Sequence, residues 1–413
     1  MKPSLCHGFL LVCLSFSIPS WAEDDAVIAA YVPTVDPVDN YLDAIDDNEA
    51  VHGAYSTELA DLYMGLGQSL MDKQDYDEAK KAFQQGVLIT RVNFGLNSPD
   101  QTNYLFAVAS IENIQGHRRL ADKVLDDIYR INIRNYGEYD PGMLPVLDQL
   151  LKWYVNNRPV NSSENRYEDL ERSELLTSKM AAIIELDKGL GHPDTTDIYR
   201  RVGQLHWVTI KYVLQRGISV EPGVILSTGA PPLNVGTRSV SVKTLVAHGR
   251  NAFAKAVESV REDEDRTPME YAEVTAQLGD FNLAFGKRKT AGEIYQRAHT
   301  ILAEDEHSEH MADAYFSTPT PVRFMEKGLQ PIVDDSGSAD QIGVEVSMTV
   351  TRGGRPLDIQ ILNSPENIPG HELRKIKRTV GDMRFRPRLS DGLPEETQDF
   401  VWQVPLVIVN ASP

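Results

Sequence analysis

One spacing constrains this chain more than its composition does. A pattern of small and large residues at helical spacing occurs twice, 212 positions apart. The matched residues are Gly67, Ala79, Phe83 and Gly86 in the first copy, and Gly279, Ala291, Tyr295 and Ala298 in the second. Between about Thr57 and Leu302, apolar residues recur at the i, i+3, i+4 spacing of amphipathic helices. This self-similarity indicates a stack of repeated helical units.

A third copy lies 42 positions after the first. Ala109, Ala121 and Leu125 stand at the positions of Gly67, Ala79 and Phe83, and Gly116 lies between them. The pattern predicts two antiparallel helices joined by a tight turn, in which small residues allow close approach and the large residue fills the remaining space. Each pair leaves an apolar face that only a neighbouring pair covers, so the copies must stack.

These residues resemble the tetratricopeptide repeat (TPR), in the 42-residue form found in kinesin light chains. Turns that place Pro beside Asp, at 95–100, 137–141 and 189–194, favour that subtype. The predicted fold class is mostly α, a TPR-like α-solenoid over 57–304 followed by a small α+β domain. About five helix pairs are expected, near 57–92, 101–134, 142–188, 195–215 with 241–262, and 268–304, with insertions near 156–168 and 217–241.

The inner helices of such an array would bind a peptide or a partner protein. Some repeats of this class hold a C-terminal carboxylate with Lys and Asn on those helices. The matching positions here are Met64, Gln68 and Met71 in the first repeat, and Phe106, Ser110 and Asn113 in the second. Because they depart from the carboxylate-binding pattern, a more apolar or extended peptide is expected.

After a predicted linker at 305–319, the helical periodicity gives way to alternation. Residues 343–351 and 357–363 predict two strands around a hairpin turn, 371–382 a short helix and 400–409 a last strand. This order describes a compact α+β module over 320–413.

The module resembles the C-terminal domain of TonB proteins. The resemblance is carried by Thr351-Arg352-Gly353-Gly354-Arg355, Asp358–Leu362 with Ser364 and Pro365, Met383-Arg384-Phe385-Arg386-Pro387 and Gly392-Leu393-Pro394. It implies a periplasmic domain that grips outer-membrane transporters by pairing a strand with their N-terminal peptide. TonB energisers carry an N-terminal membrane anchor and a Pro-rich linker, which helical repeats replace here. The resemblance therefore favours a binding role over force transduction.

Basic residues are concentrated in one part of the module. The candidate partner-binding residues are Arg374, Lys375, Lys377, Arg378, Arg384 and Arg386, together with Phe400 and Trp402. Two interpretations stay open. The basic residues form a patch for an acidic partner, lipid headgroups or peptidoglycan, or they form a solvated helix face and the start of a strand.

The first 22 residues predict a cleaved signal peptide, followed by an acidic N-terminal segment over 23–56. Cys6 and Cys13, the two cysteines of the chain, fall inside the predicted signal, so no disulfide or thiol nucleophile is expected. No later stretch reaches the roughly 20 apolar residues of a transmembrane span. Export to a bacterial periplasm is the expectation. With 41 basic and 60 acidic residues, a nucleic-acid partner is not expected.

Motifs for catalysis or metal binding are weak. His307 and His310 lack the further ligands of a zinc site, and no phosphate-binding loop or Gly-x-Ser-x-Gly motif occurs. No cofactor, metal or enzymatic activity is expected, although an active site built on the 217–241 insertion remains a minor alternative. The favoured function is a periplasmic adaptor associated with TonB-dependent transport or its energiser complex. The alternative is a structural envelope factor that binds peptidoglycan through the C-terminal module.

Overall fold

A computed structural model describes residues 36–156, 166–216, 241–305, 309–322, 343–364 and 368–405. The predicted signal peptide, His307 and most of both predicted insertions lie outside these residues.

The described part of the chain before residue 305 is built from helices that pack in chain order. They are α1 (Pro37–His52), α2 (Thr57–Asp72), α3 (Tyr76–Phe94), α4 (Thr102–Ile114), α5 (Arg118–Tyr136), α6 (Leu144–Asn156), α7 (Arg166–Lys188), α8 (Pro193–Arg216), α9 (Val242–Glu262), α10 (Pro268–Ala284) and α11 (Arg288–Ala303). Each helix contacts the next along the chain. A stack in which each helical repeat packs on the next is a solenoid, and the helix pairs give it TPR-like architecture. None of the helices in the described ranges is long and apolar enough to cross a membrane.

The 42-residue period is visible in the helix ends. Gly53, Gly95 and Gly137 follow α1, α3 and α5 with φ of 86°, 94° and 103°, a backbone conformation that favours glycine. The matching period places α1 as the second helix of a unit before the first predicted repeat. Tyr41 of α1 packs so closely on Gly65 of α2 that a Cβ there would clash. From Pro37 onward, the stretch expected to be an acidic N-terminal segment is therefore part of the solenoid.

Close glycine–ring contacts hold the two helices of a repeat together. A Cβ on Gly67 would lie 2.5 Å from the ring of Phe83, and one on Gly279 would clash with the ring of Tyr295. These are the contacts that the repeat pattern predicts, and Ala79, Ala121, Ala291 and Ala298 are fully buried beside them. The fourth pair has the same contact, because a Cβ on Gly203 would lie 2.6 Å from Phe253.

Gly116 has a different role from the one its place in the pattern suggests. It lies in the turn between α4 and α5 with φ of 81°, and no atom would lie within 4 Å of a Cβ there. Gln74 and Gly286 occupy the same turn position in the first and last repeats, with φ of 64° and 77°. The turn therefore needs a left-handed residue, which glycine supplies without strain.

The C-terminal module contains a three-stranded antiparallel sheet with one helix on it. Its strands and helix are β1 (Thr320–Val322), β2 (Gly343–Val350), β3 (Pro356–Asn363), α13 (Gly370–Asp382), β4 (Arg384–Arg386), β5 (Arg388–Ser390), β6 (Leu393–Glu395) and β7 (Thr397–Pro405). The sheet order is β3-β2-β7, while β1 pairs with β4 and β5 with β6. Val344, Val346, Met348 and Val350 alternate inward from β2 and pack with Ile376 and Val380 of α13.

The predicted linker is not an extended connection throughout. Within it, α12 (Glu309–Tyr315) packs against α11, and both Ala312 and Phe316 are buried. Phe316 shares an apolar core with Tyr295 of the last repeat and Leu389 of β5. The Leu389 backbone N–H also donates to the Phe316 carbonyl at 3.1 Å. The last repeat and the C-terminal module are therefore joined by a common core.

Candidate partner-binding surfaces

In each repeat, the residue after the position equivalent to Gly67 lies on the inner face of the solenoid. Going through the repeats, these residues are Gln68, Ser110, Lys152, Gln204 and Asp280. Gln68, Lys152 and Gln204 are exposed and Ser110 is half-buried. A partner can therefore reach this face along the first four repeats.

The chemistry of this face changes along the array. In the first half, Phe106 and Trp153 lie on neighbouring first helices with ring centroids 6.5 Å apart. In the second half, Arg201 Nη1 lies 3.8 Å from Asp148 Oδ1, and Arg200 Nε donates to Gln277 Oε1 at 3.0 Å. Aromatic residues in the first repeats are thus followed by paired charged and amide groups.

At the fifth repeat, the inner face is covered by the chain itself. Arg386 of β4 donates to Asp280 through Nε–Oδ1 at 3.0 Å and Nη2–Oδ2 at 2.7 Å. Tyr295 donates its hydroxyl to Asp280 Oδ1 at 2.8 Å. The side chains of Asp280 and Arg386 are 17% and 8% exposed. The C-terminal module therefore occupies the position that stays open in the earlier repeats.

Aromatic rings enclose the salt bridge between Arg386 and Asp280. The Arg386 guanidinium carbon lies 5.7 Å, 5.1 Å and 5.8 Å from the ring centroids of Tyr295, Tyr315 and Phe316. Burial alone would lower the pKa of Arg386, but the neighbouring Asp280 carboxylate outweighs it and raises that pKa. Burial raises the pKa of the Tyr295 hydroxyl well above its usual value. Arg386 thus stays charged and Tyr295 stays a hydrogen-bond donor.

The backbone of the module also approaches the last repeat closely. The Phe385 N–H donates to the Gly354 carbonyl at 2.9 Å, and Gly354 has φ of 70°. A Cβ on Gly354 would clash with the Phe385 carbonyl and come within 3.0 Å of Leu283 of α10. Glycine at this hairpin therefore allows the module to sit on α10.

Three of the predicted partner-binding residues face the core of the protein: Arg386 is buried, and Phe400 and Trp402 are half-buried. Arg386 is buried against Asp280. Phe400 and Trp402 point to the core side of β7, where their rings lie 6.1 Å and 5.5 Å from that of Phe385. Alternation along β7 puts both on the same side as the buried Val404.

The other predicted basic residues divide between two places. Arg374, Lys377 and Arg378 are exposed on α13, and Lys375 is half-buried, with its ammonium 3.6 Å from Glu372. Arg384 is half-buried at the start of β4, beside the last repeat. The structure therefore keeps a basic face on α13 but does not place all six residues on one surface.

A buried charged cluster between the second and third repeats has no counterpart in the sequence predictions. Arg172 of α7 lies 2.7 Å from Asp122 of α5 and donates to the Tyr154 hydroxyl at 2.9 Å. Arg118 pairs with Asp169. Burial raises the pKa of neighbouring Asp126 to about 6.

In the described ranges, no three His, Cys, Asp or Glu residues form a group that could hold a metal ion. His310, one of the two histidines considered for a metal, is exposed on α12, and the other, His307, lies outside the described residues.

Comparisons with known proteins give partial structural likeness. No family model and no curated protein sequence matches the chain. BtubC (BKLC) from P. vanneervenii is 12% identical over 65% of this chain and 90% of that chain, with a TM-score of 0.33. A Podosopora anserina kinesin light chain with nearly identical TPR-like repeats is 14% identical over 60% of this chain and 99% of that chain, with a TM-score of 0.34. A point variant of that fungal protein is also 14% identical, over 60% and 98%, with a TM-score of 0.33. The repeat assignment itself follows from the helix contacts within this chain.

Proposed function

We propose that this chain is a non-enzymatic periplasmic adaptor that binds one protein or peptide along its solenoid and an envelope partner through its C-terminal module. The open inner face of the first four repeats carries this proposal. Stacked helix pairs create extended surfaces of the kind used to bind proteins. Gln68, Lys152 and Gln204 are exposed there, whereas the equivalent Asp280 is already paired.

Resemblance to the TonB C-terminal domain supports the second half of the proposal. In the described residues, β3 and β7 are the outer strands of the sheet, and each pairs only with β2. An outer strand presents unpaired backbone groups with which an extended peptide can pair. The module would bind an outer-membrane transporter or an energiser component in this way.

Site-specific photo-crosslinking in intact cells tests the solenoid surface. A photoreactive residue at Gln68 or Gln204 should give a discrete adduct with another envelope protein. The same residue at Gln85, exposed on the second helix of the first repeat, is the matched control and should give none. Equal adducts at all three positions, or none at any, would reject a specific inner-face site.

Cell fractionation tests the location. Release by osmotic shock, with an N-terminus near residue 23, would support export to the periplasm. Retention of the whole chain in spheroplasts would exclude it.

A second candidate function is peptidoglycan binding through the basic face of α13. Arg374, Lys377 and Arg378 are exposed on α13, and none has a carboxylate within 4.0 Å among the described residues. Replacing all three by Glu should abolish sedimentation with purified sacculi if this function holds. The charge reversal should leave crosslinking from Gln68 unchanged, so the two functions can be separated.

A further inference from the structure

A second basic cluster lies where the last repeat meets the C-terminal module. It consists of Arg288 at the start of α11, Arg355 after the hairpin and Arg384 at the start of β4. Backbone contacts bring these three segments together. The Phe385 N–H donates a hydrogen bond to the Gly354 carbonyl. Arg384 precedes Phe385 and Arg355 follows Gly354, so this bond brings the two arginines beside one another. A Cβ on Gly353 would lie 3.4 Å from Arg288 Cδ, so the Arg288 side chain runs along the same hairpin.

None of the three arginines forms an ion pair within the described part of the chain. Arg384 Nη1 instead donates to the Met383 carbonyl at 2.7 Å, and the nearby Asp382 is not within ion-pair distance. Arg118, Arg172 and Arg386, whose side chains are at most 20% exposed, each face an aspartate. The half-buried Arg384 therefore differs from these three arginines in facing no carboxylate.

The local electrostatics favour a negatively charged group near Arg384. Burial and the positive charges of Arg288 and Arg355 lower the pKa of Arg384. Like charges held together in this way repel one another unless an anion lies between them. The cluster also lies at the N-terminus of α11, where no side chain caps the free backbone N–H groups. The first turn of the equivalent α3 carries Asp77 and Glu78, whereas α11 begins with Arg288 and Lys289, opposite to the preference of a helix N-terminus.

We infer that Arg288, Arg355 and Arg384 bind a phosphate group at the junction between the last repeat and the C-terminal module. Guanidinium groups match the oxygen spacing of phosphate and donate two parallel hydrogen bonds to it. A phosphate monoester carries about 1.5 to 2 negative charges, so it offsets the charge of three arginines better than one carboxylate does. The phosphate group can belong to a lipid headgroup or to a soluble compound.

Isothermal titration calorimetry of the full chain with inorganic phosphate, at low ionic strength, tests the site. Phosphate stabilises folded proteins without binding, so a saturable heat is the readout rather than a shift in melting temperature. We expect saturable binding that weakens at least tenfold in Arg288→Gln, Arg355→Gln and Arg384→Gln. Arg119→Gln removes an exposed arginine from the first turn of another second helix, α5, and should change the affinity less than twofold.

A vesicle arm distinguishes the source of the phosphate. Phosphatidic acid carries its phosphate as a monoester. Co-sedimentation with vesicles that contain it assigns the site to a lipid headgroup, provided that Arg355→Gln abolishes it and that vesicles of phosphatidylcholine alone do not give it. Binding of free phosphate without vesicle binding assigns it to a soluble ligand. The inference is overturned if no saturable phosphate binding occurs, or if Arg119→Gln weakens binding as much as the other variants do.

The two exposed variants also separate binding from folding. Without phosphate, Arg288→Gln and Arg355→Gln should melt at or above the temperature of the unmodified chain, because each removes like-charge repulsion. A fall in melting temperature for both would instead give these arginines a structural role and overturn the assignment.

Discussion

Asp280 and Arg386 are 106 positions apart in the chain, yet they form a two-point salt bridge with nitrogen–oxygen distances of 3.0 Å and 2.7 Å. Asp280 belongs to the last helical repeat and Arg386 to a strand of the C-terminal module. Because the bridge is buried, loss of one partner leaves the other charge uncompensated.

Replacement of Arg386 by Met is therefore expected to lower the free energy of unfolding by about 3 to 5 kcal/mol. Urea unfolding followed by circular dichroism measures the loss, and hydrogen exchange of α10 and β4 shows where it falls. Arg388→Met is the matched control, since Arg388 is half exposed and 3.7 Å from Glu395. That control should cost at most about 1 kcal/mol. Equal losses in the two variants would contradict a special role for the buried bridge.

The close approach of paired helices predicts opposite effects for two glycines of the last repeat. Gly279→Ala puts a methyl group into the Tyr295 ring and should destabilise the chain by about 1 to 3 kcal/mol. Gly292→Ala meets nothing nearer than Pro394 Cγ at 3.8 Å, and should be neutral or up to about 1 kcal/mol stabilising, because alanine favours helix. Melting temperatures of the two variants give the comparison. A stable Gly279→Ala variant would show that α10 and α11 can separate at little cost.

The turn between paired helices predicts a stabilising change. Gln74 holds a left-handed conformation with φ of 64°, where the equivalent residue in the last repeat is Gly286. Gln74→Gly relieves a strain of about 1 to 2 kcal/mol, partly offset by the extra freedom of glycine in the unfolded chain. We expect a net gain of about 0.5 to 1 kcal/mol in chemical denaturation. The reciprocal Gly286→Gln should lose a similar amount, since space is available and only backbone strain is added. Changes of the same sign in both variants would refute this account.

Asp126 predicts a dependence of stability on pH. Burial raises the pKa of its carboxyl from 3.8 to about 6, so the folded chain binds the proton more tightly than the unfolded chain does. The stabilisation from this proton is fully present below pH 3.8 and is lost as the pH rises through 6. Asp126→Asn removes the titration, and should exceed the unmodified chain in stability by about 2 to 3 kcal/mol at pH 8 but not at pH 4.

The measurement for Asp126 is the difference in unfolding free energy between variant and unmodified chain across pH 4 to 8. Asp127→Asn serves as the control, because Asp127 is partly exposed and paired with Arg130. It should show no gain at pH 8. A flat difference for Asp126→Asn would mean that folding does not raise the pKa of this carboxyl.

Much of the solenoid could be predicted because its contacts are local. Gly67 and Phe83, or Gly279 and Tyr295, are 16 residues apart, and the offset between copies preserves that spacing. The equivalent Gly203–Phe253 contact was missed, since residues 217–240 separate the two helices and break the spacing. The helix α1 was missed because acidic residues dominate its sequence, although Tyr41 and Ile45 give it an inward face.

The C-terminal surface was harder to predict than the sheet that carries it. The strands and the helix could be placed from alternation and turn residues. The bridge from Arg386 to Asp280 could not, because nothing local signals a partner 106 positions away. The inward orientation of Phe400 and Trp402 could have been predicted, since the two-residue period of a strand puts both on the same side as the buried Val404.

The shared core of the last repeat and the module bears on how two ligands would meet. When two binding surfaces are tethered by a flexible chain, the local concentration of one at the other is set by tether length. Here Phe316, Tyr295 and Leu389 pack in one core, so that concentration would be set by a fixed distance and direction. Partners bound at the two surfaces would therefore meet in one orientation. Two partners whose interacting faces did not match that orientation would not bind each other more tightly by being bound to the same chain.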